Sequence, residues 1–517
     1  MNIIEVEVFN KLFASVAEEM GIVLARAAFS PNIKERHDFS CAIFDRRGEL
    51  VAQAAHIPVH LGAMPRTLFH ILQDLALGPG DVAIANDPFR GGSHLPDITV
   101  AEAVCDAGGT PLFYVVNRAH HADVGGKTPG SMGLSATLAE EGVLIPPTLL
   151  VVKGVRQPFY RQFLDLVRNP SEREGDLRAQ MAALARGNVR LREMLAKHSA
   201  AKLFAVIDHL QDYAERLMRH TIASLRDGVH HFVDHLDDDG VNRRPLPIAL
   251  QLTIAGDEAI ADFSASADQV PSPLNTVAPV TLSATIYAFQ CLMGEGFPIN
   301  HGSYRPIRII TRQGSIVDAI PPAPVAAGNV ETSQRLVDVL FGALAQAAPG
   351  RIPAASCGSM NNIAIGGEQP GGGHYAYYET IGGGMGARPG SDGLHGIHTH
   401  MTNTMNTPVE ALEHAYPLQV ERYGLTRDSG GNGKHRGGDG IVRSYRFLAG
   451  AQVSLLTERR RLAPYGLKGG NPGAKGKNEL IRGKKRKRLP GKINLHTEAG
   501  DILIIKTPGG GGWGEKT

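Results

Sequence analysis

Glycine content is the feature that most constrains the fold of this chain. Glycine occupies 61 of the 517 positions, a share well above the roughly 7% that is typical of proteins. Because glycine accepts backbone conformations that other residues avoid, so many glycines predict numerous turns and loops with exposed backbone. Hydrophobic residues make up 43% of the chain and charged residues 20%, which excludes wholesale disorder. We therefore expect a large folded protein in which exposed loops can line a site.

Charge and cysteine usage narrow the function class and the compartment. The formal net charge is +2, which disfavours a general nucleic-acid binder. The four cysteines are scattered without a CxxC pair, so we expect free thiols in a reducing compartment. The first residues are acidic where a signal peptide is basic, and no run of about 18 apolar residues occurs. These features predict a cytoplasmic protein with no membrane or nucleic-acid partner.

Apolar periodicity predicts an α+β fold, a large mixed α/β protein. The N-terminal part is predicted to contain a helix over 5–29, a β-hairpin over 40–53, a helix over 65–77, and buried strands over 81–86 and 111–116. A helical stretch is predicted over 158–236, and short strands and two helices follow from about residue 245. The glycine-dense stretch 358–440 is predicted to form extended loops over a functional face.

We expect about three domains, because domains average roughly 150 residues. They are an N-terminal α/β domain that holds a metal site (1–160), a helical segment (161–245), and a glycine-rich, β-containing C-terminal region (246–517).

Two His-x-x-Asp patterns carry the most specific chemistry. His94 and Asp97 follow the 81–86 strand, and His120 and Asp123 follow the 111–116 strand. Imidazole nitrogens and carboxylate oxygens that converge from separate segments are typical ligands of a divalent metal ion. Either His120 or His121 can complete the site. The two patterns together therefore predict a metal site.

Asp38 is a further candidate, either as a fourth ligand or as a carboxylate that orients a ligating imidazole. A plain structural role, in which Asp38 bonds the backbone at the start of a strand, explains it equally well. Histidine and asparagine in loops also serve as ordinary hydrogen-bonding residues and turn formers, Asn86 among them.

Other motifs carry less. The glycine run 509–512 lacks the Lys-Ser/Thr of a phosphate-binding loop. The basic run Lys484–Arg488 has no interleaved aromatic residues and is predicted to be a solvated hairpin loop. His395, His398 and His400 have a spacing that can chelate a metal ion, or they line a pocket.

Taken together, these segments resemble the hydantoinase B/5-oxoprolinase B-type family, which includes N-methylhydantoinase beta subunits and related acetone and acetophenone carboxylase subunits. The likeness extends over nearly the whole chain. It rests on segments at residues 35–45, 56–62, 86–97, 117–126, 300–306, 331–335, 400–404 and 507–514.

The resemblance implies a two-subunit, ATP-dependent enzyme. In such an enzyme, ATP is bound by a separate A-type subunit, which phosphorylates a carbonyl oxygen of a small cyclic amide or ketone. The B-type subunit then processes that intermediate, and for cyclic amides it opens the ring with water. The chain is therefore expected to belong to a hetero-oligomer, to act as a hydrolase on C–N bonds, and to leave ATP to its partner.

The resemblance also assigns roles to residues. The metal ligands carry over onto His94, Asp97 and His120, with Asp38 as a further carboxylate, and His121 and Asp123 become candidate proton carriers. Zinc suits this ligand set best, and manganese is nearly as compatible. Two other functions stay open: a subunit of an ATP-dependent ketone carboxylase, and a non-catalytic scaffold for the A-type subunit.

Overall fold

The computed structural model describes residues 3–54, 56–294, 296–369 and 372–516. This part of the chain contains ten α-helices and four β-sheets, which confirms the predicted mixed α/β class. The helices are α1 Ile3–Ala27, α2 Pro31–Lys34, α3 Ala63–Asp74, α4 Leu138–Glu141, α5 Pro158–Leu166, α6 Pro170–Lys197, α7 Ala200–Ala223, α8 Ala278–Met293, α9 Ser333–Ala347 and α10 Val409–Ala415.

An antiparallel seven-stranded sheet organises the N-terminal part, in the spatial order β2-β1-β5-β4-β3-β6-β7. Its strands are β1 Phe39–Asp45, β2 Leu50–Gln53, β3 Val82–Ala85, β4 Asp97–Cys105, β5 Pro111–His120, β6 Thr148–Val152 and β7 Val155–Arg156. The predicted hairpin and the first three predicted helices and strands are confirmed. Strand β5 is longer than predicted and includes His120, and β4, which begins at Asp97, was missed.

The rest of the chain forms three smaller sheets. The first has the order β11-β10-β9-β8 and consists of β8 Gly228–Leu236, β9 Leu246–Ala255, β10 Glu258–Asp262 and β11 Ile307–Ile310. The second has the order β13-β12-β16-β19 and consists of β12 Asn362–Glu368, β13 His374–Glu379, β16 Ala451–Leu456 and β19 Lys492–Thr497. The third has the order β14-β15-β20-β17-β18 and consists of β14 Leu418–Thr426, β15 Gly440–Phe447, β17 Lys477–Arg482, β18 Lys485–Leu489 and β20 Ile502–Lys506.

Both faces of the seven-stranded sheet are buried. Alternate residues of its central strands, such as Ile43 and Ile84, join the large core that also contains residues of α1 and α6. The intervening residues, such as Phe44 and Ala83, pack against α3 on the opposite face. Burial on both faces explains why these strands read as nearly continuous apolar runs in the sequence. The sheet is therefore a rigid platform for side chains at its strand ends.

Three predictions for the C-terminal two-thirds of the chain were wrong. The helical stretch ends at Ala223, and β8 follows where a helix was predicted to continue to residue 236. The stretch 358–440 contains three strands and a helix as well as loops. The basic run forms most of β18, an exposed strand at the edge of the five-stranded sheet, instead of a loop. In each case pairing with a distant strand outweighed the local pattern.

The division into domains at 160 and 245 stays a prediction. One continuous apolar core contains residues from all three predicted ranges, from Val6 to Leu456. Within the described ranges, no helix has both the length and the apolar character needed to cross a membrane.

Asn86 fixes the loop between β3 and β4, which carries His94. Its Nδ2 donates to the carbonyl oxygens of Leu95 at 2.8 Å and Val143 at 2.9 Å, and its Oδ1 accepts from the amide of Ile145 at 2.6 Å. Asn86 is fully buried. The plain structural role considered for this residue is therefore confirmed.

Replacing Asn86 tests how firmly this loop is fixed. Asn86→Ala leaves three backbone groups without their partner, and we expect the free energy of unfolding to fall by about 3 kcal/mol in urea titrations. The matched control is Asn10→Ala, whose amide bonds to Glu7 on the same helix, and here we expect a change below about 0.5 kcal/mol. Equal changes in the two variants would contradict this role for Asn86.

Candidate metal centre

The open end of the β4–β5 hairpin brings the predicted ligands together. Asp97 is the first residue of β4 and His120 is the last residue of β5, and the two are direct partners across the antiparallel pair. His94 lies three residues before β4, in the loop fixed by Asn86. Two ligand positions thus belong to a buried sheet, which holds their backbones rigidly.

The three side chains form a nearly equilateral triangle of ligand atoms. His94 Nε2 lies 3.1 Å from Asp97 Oδ1 and 3.2 Å from His120 Nδ1, and His120 Nδ1 lies 3.3 Å from Asp97 Oδ1. Ligands placed 2.0–2.1 Å from a tetrahedral metal ion lie about 3.3 Å from one another. All three residues are buried. The triangle therefore has the size and donor set of a divalent metal site.

The hydrogen bonds of His94 call for a positive charge inside this triangle. His94 Nδ1 lies 3.2 Å from the carbonyl oxygen of Ala326, which can only accept, so Nδ1 carries a hydrogen. In the neutral ring, Nε2 then presents a lone pair to the Asp97 carboxylate. Burial lowers the pKa of His94, but the Asp97 carboxylate outweighs this effect and the net pKa is raised. Either a proton or a metal ion relieves this contact.

Asp97 is held as a charged carboxylate by its surroundings. Its Oδ2 accepts from Ser93 Oγ and lies 3.2 Å from His60 Nε2, while His60 Nδ1 lies 2.9 Å from Ser40 Oγ. Burial alone would raise the pKa of Asp97, but the neighbouring histidines, His94 first, hold it well below its usual value. Asp97 can therefore ligate a cation without first losing a proton.

His120 is oriented by contacts on its backbone and its ring. Its ring stacks on Tyr378 with centroids 4.3 Å apart and planes inclined by 14°. Its carbonyl oxygen accepts from Asn32 Nδ2 at 2.9 Å. The outer nitrogen, Nε2, is buried without a hydrogen-bond partner. The stack fixes the direction in which Nδ1 faces the triangle.

Asp38 lies beside the triangle but outside it. Its carbonyl oxygen accepts from the His120 amide at 3.0 Å, and its residue lines a small cavity shared with His60, Asp97 and His120. Burial raises the pKa of the Asp38 carboxyl, and His120 and Arg36 only partly offset this. Its role as a metal ligand stays a prediction.

The structure does not bring His121 and Asp123 to the triangle. His121 Nε2 lies 2.9 Å from Gln180 Oε1, because adjacent residues at the end of a strand point to opposite faces. Asp123 accepts from the amides of Gly125 and Gly130 and pairs with Arg168 at 3.0 Å. These contacts stabilise the loop after β5.

Two residues at the site were missed in the sequence. His60 belongs to a segment that supported the family resemblance, but its contact with Asp97 was not anticipated. Asn329 lies in the π-helical turn Gly328–Thr332, and its Nδ2 is 3.1 Å from His94 Nε2. No local pattern indicates Asn329, because it lies more than 200 residues from His94 in the chain.

Comparisons with known proteins cover the whole chain. A family model described as hydantoinase B/oxoprolinase matches residues 2–516. An uncharacterized protein of Methanocaldococcus jannaschii is 41% identical over 99% of this chain and 91% of its own length. 5-oxoprolinase 1 of Arabidopsis thaliana is 40% identical over 99% of this chain and 42% of its own length. A Pseudomonas protein, named as the B-type subunit of a D-/L-hydantoinase, is 32% identical over 99% of this chain and 90% of its own length.

The chain thus spans about two-fifths of the length of the 5-oxoprolinases that it matches. Among solved structures, the ATP-dependent caprolactamase of Pseudomonas jessenii superposes with a TM-score of 0.92 and 28% identity, over 100% of this chain and 91% of that one. Nucleotide-free acetone carboxylase superposes with a TM-score of 0.89 and 18% identity, over 98% and 75% of the two chains, and shows the fold alone. The chain belongs to the hydantoinase B/oxoprolinase family.

Proposed function

We propose that this chain is the metal-dependent B-type subunit of an ATP-dependent amidohydrolase. It would hydrolyse a carbonyl-phosphorylated cyclic amide that a separate A-type subunit produces. The observation that carries the proposal is the buried triangle of His94, Asp97 and His120, with edges of 3.1–3.3 Å. Family membership supports the reaction class, since relatives are named as hydantoinases and 5-oxoprolinases.

The residues present fit a divalent metal ion. Bare imidazole and carboxylate atoms face one another, and a cation between them removes the repulsion described above. His94, Asp97 and His120 would hold the ion, with Asp38 as a further carboxylate; zinc suits this set best and manganese is compatible with it. When bound, such an ion makes hydroxide available near neutral pH and polarises a carbonyl or phosphoryl oxygen.

The protein's own side chains would orient the ligands and handle protons. His60 and Ser93 hold Asp97 through its second oxygen, which leaves Oδ1 directed at the histidines. Asp38 faces the same cavity, and its raised pKa allows its carboxyl to keep a proton at higher pH than an exposed aspartate. That proton can pass to the leaving ring nitrogen.

An A-type partner that binds ATP completes the proposal. The D-/L-hydantoinase relative is named as one subunit of its enzyme, and the structural neighbours are named as ATP-dependent enzymes. We therefore place the chain in a cytoplasmic hetero-oligomer, with nucleotide chemistry on the partner.

His121 and Asp123 stay candidate proton carriers from the family resemblance. Their contacts do not support this role, because His121 bonds to Gln180 and Asp123 to backbone amides and Arg168. Asp38 is the better-placed proton carrier.

Metal analysis tests the triangle directly. We expect the purified wild-type chain to carry near-stoichiometric zinc or manganese by elemental analysis, and His94→Ala and Asp97→Ala to lose it because each removes one corner. His395→Ala is the matched control, since His395 is an exposed loop histidine whose Nδ1 accepts from the Asp439 amide. Circular dichroism checks that the variants fold. A wild-type chain that stays metal-free after reconstitution would favour the non-catalytic scaffold.

Reconstitution with the partner tests the reaction. With the A-type subunit and ATP, we expect ring opening of one or more of 5-oxoproline, hydantoin, N-methylhydantoin and caprolactam, detected by chromatography. His94→Ala should abolish turnover. Ring opening without ATP or without the partner would contradict the two-subunit scheme. Carboxylation of acetone with bicarbonate, in place of ring opening, would instead identify a ketone carboxylase.

The pH dependence of stability tests His121. Burial lowers its pKa from 6.5 to about 4, so the unfolded chain binds more protons between these values and stability rises with pH there. In His121→Asn, the free energy of unfolding should lose up to about 3 kcal/mol of this rise between pH 4 and 6.5, measured in urea. His395→Asn should keep the full rise. Lost turnover with an unchanged pH dependence would support a catalytic His121.

A further inference from the structure

A cleft of about 490 Å³ lies next to the cavity of the triangle. Thr402 lines both spaces, and Pro58 lines the cleft while its neighbours Ile57 and Val59 line the small cavity. The segments around residues 57–59 and 401–404 therefore form a thin wall between them. The small cavity has only about 20 Å³ of free volume, room for roughly one water molecule. A ring substrate does not fit there, whereas the cleft has the size of ligand pockets.

Two imidazoles in the cleft wall have buried, unused nitrogen atoms. The Nε2 atoms of His398 and His400 are buried and have no hydrogen-bond partner. His400 is 8% exposed, and its other nitrogen lies 3.3 Å from Tyr287 Oη. Its backbone has a left-handed φ of 59°, which is uncommon for residues other than glycine and clusters at functional sites. Buried polar atoms are costly unless something bonds to them, so these nitrogens indicate a ligand.

Burial lowers the pKa of both histidines to about 4. Each ring is therefore neutral at pH 7 and offers the cleft either one donor or one acceptor. A cyclic amide carries a C=O and an N–H side by side, and this pair matches two such positions.

The charge of the cleft is positive. Arg351 and Arg388 line it, and none of the described residues that line it is acidic. Arg351 donates to Ser224 Oγ and to the carbonyl oxygen of Leu292. Arg388 is exposed, and no acidic side chain in the described chain pairs with its guanidinium. The remaining walls are largely apolar and include Phe341 and Ile397.

We infer that this cleft binds the substrate ring, and that the ligand is a small cyclic amide that carries an anionic group held by Arg388. His398 and His400 bond to the amide, Phe341 packs on the ring, and the guanidinium binds the anion through paired hydrogen bonds. This inference deepens the proposed function and rests on it for the identity of the ring chemistry.

The anion has two sources with the same chemistry. It is either a carboxylate on the ring, as in 5-oxoproline, or the phosphoryl group that activation adds to the ring carbonyl. The first source favours acidic lactams as substrates, and the second makes the cleft selective for the activated form of any lactam.

Cys291 provides a probe that needs neither metal, nor partner, nor ATP. It lines the cleft, and it is exposed while Cys41, Cys105 and Cys357 are buried. The rate at which N-ethylmaleimide modifies Cys291, followed by peptide mass spectrometry, therefore reports on occupancy of the cleft. The probes are 5-oxoproline, caprolactam alone, and caprolactam with inorganic phosphate.

We expect protection of Cys291 by 5-oxoproline, by caprolactam with phosphate, or by both, which also identifies the source of the anion. In Arg388→Gln the concentration that gives half protection should rise about tenfold or more, because a hydrogen-bonded ion pair is lost. Arg308→Gln is the matched control, since Arg308 is an exposed arginine on β11 outside the cleft. It should behave as the wild type.

His398→Asn and His400→Asn test the amide contacts and should each weaken protection by the same probe. Absence of protection by all three probes, or equal protection in wild type and Arg388→Gln, would overturn the inference. Failure of the proposed function looks different: His94→Ala should lose metal and turnover yet keep the protection of Cys291. Metal-free wild-type protein with intact protection would therefore reject the hydrolase mechanism and leave the cleft standing.

Discussion

The Asp97 carboxylate is the group on which the rest of the site depends. It is buried and charged, and such a group is stable only when its oxygens are matched by donors or cations. One oxygen faces His94 and His120, while the other accepts from Ser93 and contacts His60. Four separate segments thus meet at a single side chain. A change at any of them alters the environment of the carboxylate.

The seven-stranded sheet explains how this meeting is kept rigid. Asp97 and His120 are cross-strand partners in a sheet that is buried on both faces. Their backbones therefore move little relative to each other, and the separation of their ligand atoms is set by strand geometry. The third corner, His94, comes from a loop, and buried hydrogen bonds from Asn86 fix that loop. Loop and sheet contribute to the site with similar precision.

Much of this arrangement is predictable from the sequence, because its main parts are local. The His-x-x-Asp spacing and the apolar runs beside it placed His94, Asp97 and His120 at strand ends, and the structure brings these three together. Asn329 and the contact of His60 with Asp97 were not predictable, since their partners lie far away in the chain. Strand β8 was missed for a related reason: its partly exposed, polar sequence is stabilised as a strand by pairing with β9. Local pattern fails where tertiary pairing decides.

The basic strand β18 has a consequence for how copies of this chain behave at high concentration. It forms the outer edge of the five-stranded sheet, where unpaired backbone groups would invite another strand to add on. Four of its five residues are exposed, and all four are lysine or arginine. Two such edges approaching each other would repel strongly before any backbone hydrogen bond could form. The positive run thus acts as a guard against edge-to-edge aggregation, a task that needs no ligand.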